Sequence, residues 1–86
     1  MNYIYIIECQ DKTLYTGYTT DIEKRIEMHN KGLGAKYTRG RGPVVLKYFE
    51  EFHSKNDALK REKAIQKLSR VQKLHLINGA LGKEEE

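Results

Sequence analysis

Apolar residues recur along this chain with two different periods, and each period predicts a different kind of element. Residues 2–9 are rich in Tyr and Ile, and residues 13–19 resume the same β-type pattern after a polar turn at 10–12. The two runs predict an antiparallel hairpin, and a third strand is expected over 44–52. Because side chains alternate along a strand, one face of the first strand carries Tyr3, Tyr5, Ile7 and Cys9, and the other carries Ile4, Ile6 and Glu8.

Polar capping signals followed by helical spacing predict three helices. Thr20-Asp21-Ile22-Glu23 and Ser69-Arg70-Val71-Gln72 match the capping box, and Ser54 opens a similar start. Gly32 is expected to end the first helix, and Asn78-Gly79 the third. Residues 32–43 form a flexible, basic loop in this interpretation. The order ββαβαα predicts an α+β fold, a small sandwich of about two layers with the helices on one side of the sheet.

The length of 86 residues predicts one domain, which we expect over 1–79, with 80–86 as a disordered acidic tail. No apolar run approaches the roughly 20 residues of a membrane span, and no signal peptide is recognisable. One cysteine, Cys9, excludes an internal disulfide. A cytoplasmic protein without a membrane partner is therefore expected.

The distribution of charge favours a polyanionic partner. The net charge is +4, and residues 24–47 hold seven basic residues against one acidic residue, Glu27. Such clustering is typical of proteins that bind nucleic acid. On charge alone, a merely solvated basic surface remains an equal alternative.

Glu62 is the most informative residue of the second predicted helix. On a helical wheel it lies about 50° from the centre of the apolar face, which is formed by Ala58, Leu59, Ile65 and Leu68. A carboxylate there is costly unless it is paired, hydrogen-bonded or bound to a metal. The alternative is an edge residue that reaches solvent or pairs with Lys55 or Lys63.

Arg25 and His29 are four residues apart and are therefore neighbours on one face of the first predicted helix. Together they can bind a phosphate, or the histidine can exchange a proton. The alternative is a surface arginine paired with Asp21 and a histidine that fills the helix edge.

Gly17 within a strand indicates a bulge or a close approach by another group. Helix capping alone explains Asn78.

Tyr3-Ile4-Tyr5, followed after nine residues by Tyr15-Thr16-Gly17, resembles the two-part signature of the GIY-YIG nuclease superfamily. Arg25, His29, Glu62 and Asn78 follow in the order found in that family. The resemblance is closest to its small, stand-alone, uncharacterised bacterial members, and it implies a three-stranded antiparallel sheet flanked by helices.

The resemblance also implies a phosphodiesterase site. Its residues would be Tyr5 as the general base, Tyr15 in support, Arg25 on the scissile phosphate, His29 as a hydrogen-bonding or proton-transfer group, Glu62 as the ligand of one Mg²⁺ or Mn²⁺ ion, Asn78 as an orienting group, and Gly17 as the residue that keeps the sheet surface open. The cations expected to hold the nucleic-acid backbone are Lys24, Lys36, Arg39, Arg41, Lys60, Arg61 and Lys67.

Three positions depart from the family signature. Tyr3 stands where the family name has Gly, Thr16 stands where it has Ile, and Tyr18 stands where several members carry a lysine. Lys24 and Lys36 are the candidates to replace that lysine.

The function implied by the resemblance is a metal-dependent endonuclease that acts on DNA and selects structure, such as branched or single-stranded DNA, rather than sequence. RNA remains an alternative substrate. A non-catalytic nucleic-acid-binding module with the same fold and a protein-interaction domain are the competing hypotheses. The sequence predicts no oligomeric state.

Overall fold

The central element of the fold is the first strand, β1 (Asn2–Glu8), which pairs with both other strands. The computed structural model describes residues 1–82, with the backbone alone described over 80–82. The sheet order is β2-β1-β3, with β2 at Leu14–Thr19, β3 at Val45–Phe52 and both pairings antiparallel. Tyr5 lies opposite Gly17 on β2 and Phe49 on β3. The pairing with β3 slips by one residue between Ile6 and Ile7.

The remaining elements complete the predicted order ββαβαα. They are α1 (Ile22–Asn30), a 3₁₀ turn (Lys36–Thr38), α2 (Lys55–Gln66) and α3 (Arg70–Gly82). The α+β prediction is confirmed. Within residues 1–82, no helix is both long and apolar enough to cross a membrane.

Alternation along β1 divides the core into two clusters, as predicted. One cluster, on what we call the α2/α3 face, joins Ile4 and Ile6 to Ala58, Ile65 and Ile77. The other, on the α1 face, joins Tyr5, Ile7, Cys9 and Val44, with Ile26 of α1 packed against it. The prediction that all helices lie on one side is therefore wrong, because α1 and the loop after it cover the opposite side of the sheet.

Local capping signals set the helix starts. Asp21, rather than Thr20, caps α1, because its carboxylate accepts from the backbone N–H of Lys24 at 3.1 Å. Ser69 and Gln72 form the predicted reciprocal capping box at α3, with bonds of 3.2 and 2.9 Å. The turn at Gly32, whose φ is +76°, ends α1 as expected.

The predicted helix stop at Asn78-Gly79 is wrong. A glycine stops a helix by taking a positive φ, and the described glycines that do so are Gly32 and Gly40. Gly79 instead continues α3, which extends to Gly82. Residues 83–86 of the predicted acidic tail lie outside the described residues. The predicted domain boundary at residue 79 therefore remains a prediction.

Candidate active site

A chain of hydrogen bonds crosses the α1 face from β1 to the loop after α1. The Tyr5 hydroxyl lies 2.8 Å from Nε2 of His29, and Nδ1 of His29 lies 2.7 Å from Oγ1 of Thr38. The Thr38 hydroxyl donates in turn to the backbone carbonyl of Ala35 at 2.9 Å. His29 and Thr38 are each 1% exposed, so water does not compete for these bonds. The loop over 32–43 is therefore packed into the core where it contains Thr38, rather than flexible throughout.

The direction of each bond follows from the number of protons available. A threonine hydroxyl has one proton, and Thr38 donates it to Ala35, so its oxygen accepts from Nδ1–H of His29. Burial lowers the pKa of His29, and the positive charge of Arg25 lowers it further, so the ring is neutral at neutral pH. A neutral imidazole protonated at Nδ1 leaves Nε2 free to accept, and Tyr5 therefore donates to it.

Arg25 binds the other side of the Tyr5 hydroxyl. Its Nε donates to the Tyr5 hydroxyl oxygen at 3.3 Å. The sequence-based alternative is a surface arginine paired with Asp21, and the observed partner is different. Burial raises the pKa of the Tyr5 phenol, while the hydrogen bond and charge of Arg25 lower it. Tyr5 is 0% exposed. Its hydroxyl is thus enclosed and already engaged both as a donor and as an acceptor.

Tyr15, on β2, is half-buried and has a less constrained hydroxyl. Its ring meets His29 edge-on at 5.6 Å between centroids and stacks on Tyr37 at 5.7 Å. Its hydroxyl makes no hydrogen bond to residues 1–82. Burial raises the pKa of Tyr15, the charge of Arg25 lowers it, and the charge of Glu62 raises it. Tyr15 therefore shares one electrostatic environment with Arg25 and Glu62.

Glu62 lies on α2. Its negative charge raises the pKa of Tyr5 as well as that of Tyr15. Glu62 is half-buried, and burial raises its own pKa, against a smaller lowering by Lys63. The ion pairs among residues 1–82 do not include Glu62, so the alternative of pairing with Lys55 or Lys63 is not observed.

The single carboxylate of Glu62 fits a divalent cation that takes one ligand from the protein. Residues 1–82 contain no group of three or more His, Cys, Asp or Glu side chains able to hold an ion by themselves. Mg²⁺, however, is commonly bound by one or two carboxylates, with water and phosphate oxygens filling the other positions. A half-buried carboxylate without a positive partner is stabilised by such an ion. Glu62 is therefore the candidate ligand.

Two glycines make room for the hydrogen-bonded chain. A Cβ on Gly17 would overlap the Tyr5 hydroxyl, and a Cβ on Gly34 would overlap the imidazole ring of His29. Gly17 therefore marks a close approach, as the sequence indicated, and the group that approaches is the Tyr5 ring. The observed positions of Tyr5 and His29 therefore require that neither Gly17 nor Gly34 carries a side chain.

Two predicted positions lie away from this cluster. Asn78 is exposed on α3, and no hydrogen bond joins it to the site within residues 1–82. Tyr18 packs against the α2/α3 face and donates to Oδ1 of Asn2 at 2.6 Å. The family position after Gly17 is therefore on the opposite side of the sheet from Tyr5.

The seven cations that are predicted to contact the nucleic-acid backbone fall into two groups. Arg61 donates to both oxygens of Glu50 at 2.9 and 3.0 Å, and Arg41 pairs with Asp11 while its guanidinium lies 4.8 Å from the Tyr37 ring. These two cations are engaged within the fold. The other five are exposed and form no ion pair with residues 1–82: Lys24, Lys36, Arg39, Lys60 and Lys67.

Gly34, Tyr37 and Thr38 contact the site without being predicted from the sequence. All three lie in the segment interpreted as a flexible loop. The signal available in the sequence is the pair Gly32 and Gly34 directly after α1, which indicates a tight turn close to His29.

The chain belongs to the GIY-YIG family. The family model described as the GIY-YIG catalytic domain matches residues 1–75. That match spans the elements from β1 to the first turns of α3. It therefore includes every residue of the predicted site except Asn78.

Within this family the chain is similar to small, stand-alone proteins from bacteria and archaea. It is 60% identical over 85 residues to the UPF0213 protein CPE1444 of Clostridium perfringens, which covers 99% of this chain and 91% of the relative. It is 58% identical over 73 residues to the UPF0213 protein VNG_2274C of Halobacterium salinarum, and this match covers 85% of this chain and 95% of the relative. The solution NMR structure of the UPF0213 protein BH0048 from Bacillus halodurans matches with a TM-score of 0.59 and 51% identity, covering 91% of this chain and 84% of that one.

Proposed function

We propose that this protein is a metal-dependent endonuclease that hydrolyses phosphodiester bonds in DNA. The observation that carries the proposal is the hydrogen-bonded cluster on the α1 face that joins Arg25 to Tyr5 and His29, against which the ring of Tyr15 packs edge-on. The negative charge of Glu62, on α2, raises the pKa of both tyrosines. A phosphate-binding cation, a proton acceptor and a metal-binding carboxylate are the groups that this hydrolysis needs.

Arg25 binds the scissile phosphate in this proposal. Its Nε is held by Tyr5, which leaves the two terminal amino groups to donate to phosphoryl oxygens. Tyr5 is fixed by His29, and His29 is fixed by Thr38. This chain of hydrogen bonds orients the guanidinium before the substrate binds, and preorganised positive charge stabilises the charge that develops in the transition state.

Tyr15, rather than Tyr5, is the general base. The resemblance implies Tyr5 for this role, but a base must come within hydrogen-bonding reach of the attacking water. The Tyr5 hydroxyl is fully enclosed, whereas Tyr15 is partly exposed. The Tyr15 phenolate takes a proton from water, the water oxygen bonds to phosphorus, and the bond to the leaving oxygen breaks. The leaving group departs as an alkoxide and then takes a proton from solvent. Tyr5 then serves to orient Arg25 and His29.

Glu62 would hold the divalent cation, either Mg²⁺ or Mn²⁺. When bound, that ion supplies positive charge that stabilises the leaving oxygen and lowers the pKa of Tyr15. Because the negative charge of Glu62 raises the pKa of Tyr15, neutralising this carboxylate favours the basic form of the phenol.

The substrate selectivity that we propose is for DNA structure, with branched or single-stranded DNA as the first candidates. The five exposed cations, Lys24, Lys36, Arg39, Lys60 and Lys67, suit phosphate contacts, which position a nucleic acid but carry no base sequence. RNA is the competing substrate, and a cytoplasmic location remains part of the proposal.

The test is cleavage of supercoiled, branched and single-stranded DNA, and of RNA, with Mg²⁺, Mn²⁺ or EDTA. Glu62→Gln removes the proposed metal ligand at nearly constant shape, and Glu23→Gln, on the exposed first turn of α1, is the matched control. We expect metal-dependent cleavage that falls by about 10³-fold in Glu62→Gln and is unchanged in Glu23→Gln. Equal cleavage by wild type and Glu62→Gln contradicts the proposed site. Salt-sensitive binding without any cleavage indicates the non-catalytic module instead.

A further inference from the structure

A second cationic pocket lies beside the candidate active site, where α3 begins. This cavity of about 250 Å³ is lined by Thr13, Leu14, Tyr37, Arg70 and Lys73. Arg70 and Lys73 are three residues apart, so they lie on the same side of α3. No carboxylate of residues 1–82 lines the cavity, and Asp11, close to it in the chain, pairs with Arg41. The pocket is therefore electrostatically suited to an anion.

Lys73 is not explained by the packing of the fold. Its side chain is half-buried, and burial alone lowers the pKa of its ammonium group. Within residues 1–82, neither Lys73 nor Arg70 forms an ion pair. The hydrogen bond of Arg70 to the backbone carbonyl of Lys12, at 2.6 Å, leaves its other N–H groups free to donate. A partly desolvated cation without a counter-charge is costly, and a bound anion removes that cost.

Tyr37 connects this pocket to the candidate active site. Its ring lines the cavity and stacks on Tyr15 with the centroids 5.7 Å apart. The pocket is thus one aromatic ring away from the proposed general base. Because a nucleic-acid strand carries a phosphate at every nucleotide, a strand bound at Arg25 presents a neighbouring phosphate within a nucleotide or two of that point.

We propose that Arg70 and Lys73, with Tyr37 as the wall between them and Tyr15, form a second phosphate subsite for the substrate strand. It holds a backbone phosphodiester next to the scissile one. The inference rests on the proposed function, because a nuclease substrate is what supplies adjacent phosphates. It adds two residues that neither the family signature nor the basic segment at 24–47 includes.

The test is binding without cleavage. Fluorescence polarisation of a labelled 12-nucleotide single strand in EDTA, at several NaCl concentrations, compares wild type with Lys73→Met and Arg70→Gln. Lys55→Met is the matched control, because Lys55 is exposed at the start of α2 and its Nζ lies 5.8 Å from the ring of Tyr18 on the α2/α3 face. We expect Kd to rise about 5- to 10-fold in each pocket variant, and the slope of log Kobs against log[NaCl] to become shallower by about 0.7, the value for one single-strand phosphate contact. Lys55→Met is expected to leave both quantities unchanged.

Two further readouts separate the possible failures. Thermal unfolding is expected to show equal or higher stability for Lys73→Met, because the methionine removes a partly buried charge. Kd values and salt slopes of the pocket variants that equal those of Lys55→Met would overturn the subsite. Cleavage with Mg²⁺, measured on the same proteins, tests the proposed function separately: strong pocket-dependent binding with no cleavage contradicts the nuclease and retains the phosphate site.

Discussion

The two faces of β1 support two surfaces with different chemistry. On the α2/α3 face, Ile4 and Ile6 pack against apolar helix residues, and all of these side chains are at most 6% exposed. On the α1 face, Tyr5 is just as buried but lies in a chain of hydrogen bonds to His29 and Arg25. One strand thus separates an apolar core that holds the domain together from a polar core that orients chemical groups.

The two surfaces also stabilise the fold differently. Apolar burial is non-directional and contributes about 25 cal/mol for each Å² removed from water. A buried hydrogen bond contributes about 1 kcal/mol net, but leaving one partner unsatisfied costs about 1–3 kcal/mol. We therefore expect changes on the α2/α3 face to alter stability, and changes on the α1 face to alter geometry and activity together.

The largest stability effect is expected from Ile4→Ala. Ile4 is 0% exposed in the apolar cluster, and such truncations cost about 2–5 kcal/mol through lost burial and a residual cavity. Urea unfolding measures the loss. Cleavage per folded molecule at low temperature is expected to stay near the wild-type rate. A large loss of activity at full stability would contradict the separation between the two faces.

Gly34→Ala is expected to have the next largest effect. The added Cβ overlaps the His29 ring, and such overpacking costs about 1–3 kcal/mol. Displacing His29 also releases Tyr5 and Arg25, so cleavage is expected to fall about 100-fold.

Gly79→Ala is the matched control for that change. Gly79 lies within α3, and no atom of the described part of the chain comes within 4 Å of an added Cβ. The same substitution there is expected to stabilise the protein by about 0.5–1 kcal/mol. Equal effects of the two variants on cleavage would contradict the role of Gly34.

Thr38→Val tests the direction of the hydrogen bonds. It leaves Nδ1–H of His29 without its acceptor, at a cost of about 1–3 kcal/mol. Imidazole ¹⁵N chemical shifts are expected to show the Nδ1–H form in wild type and in Thr38→Ser, and a loss of that form in Thr38→Val. A wild-type ring protonated at Nε2 would overturn the assignment of Tyr5 as the donor.

The smallest effect is expected from Thr16→Val. Oγ1 of Thr16 is buried and has no hydrogen-bond partner within residues 1–82. A valine of similar shape removes this unsatisfied hydroxyl, so we expect a gain of about 1 kcal/mol in urea unfolding with unchanged cleavage. A loss of stability would show that the Thr16 hydroxyl makes a stabilising hydrogen bond in the folded protein.

The features that the sequence predicts correctly are those with local causes. Alternation along residues 2–9 assigns Tyr5 and Ile4 to opposite faces, and it holds because each side chain follows its own strand backbone. The capping box at Ser69 and Gln72 forms because its partners are three residues apart. Membership of the GIY-YIG family can likewise be predicted from the sequence, because the two half-motifs are short segments in a fixed order.

The features that the sequence does not predict depend on contacts between distant segments. Thr38 carries no periodic signal, and its burial arises when the loop packs on His29. Arg61 and Arg41 look like free cations in the sequence, yet each finds a carboxylate on another element, Glu50 or Asp11. The enclosure of Tyr5 likewise follows from tertiary packing, which is why our proposal assigns the general base to Tyr15, whereas the resemblance implies Tyr5.

The most direct measurement is single-turnover cleavage of DNA by Tyr15→Phe and Tyr5→Phe, with excess protein and Mg²⁺. Each variant removes one hydroxyl and keeps the ring, so packing is nearly unchanged. We predict that Tyr15→Phe loses about 10³- to 10⁴-fold in rate, as expected for removal of a general base, whereas Tyr5→Phe loses about 10- to 100-fold because Arg25 is less well oriented. A near-wild-type rate for Tyr15→Phe, combined with complete inactivity of Tyr5→Phe, would contradict it.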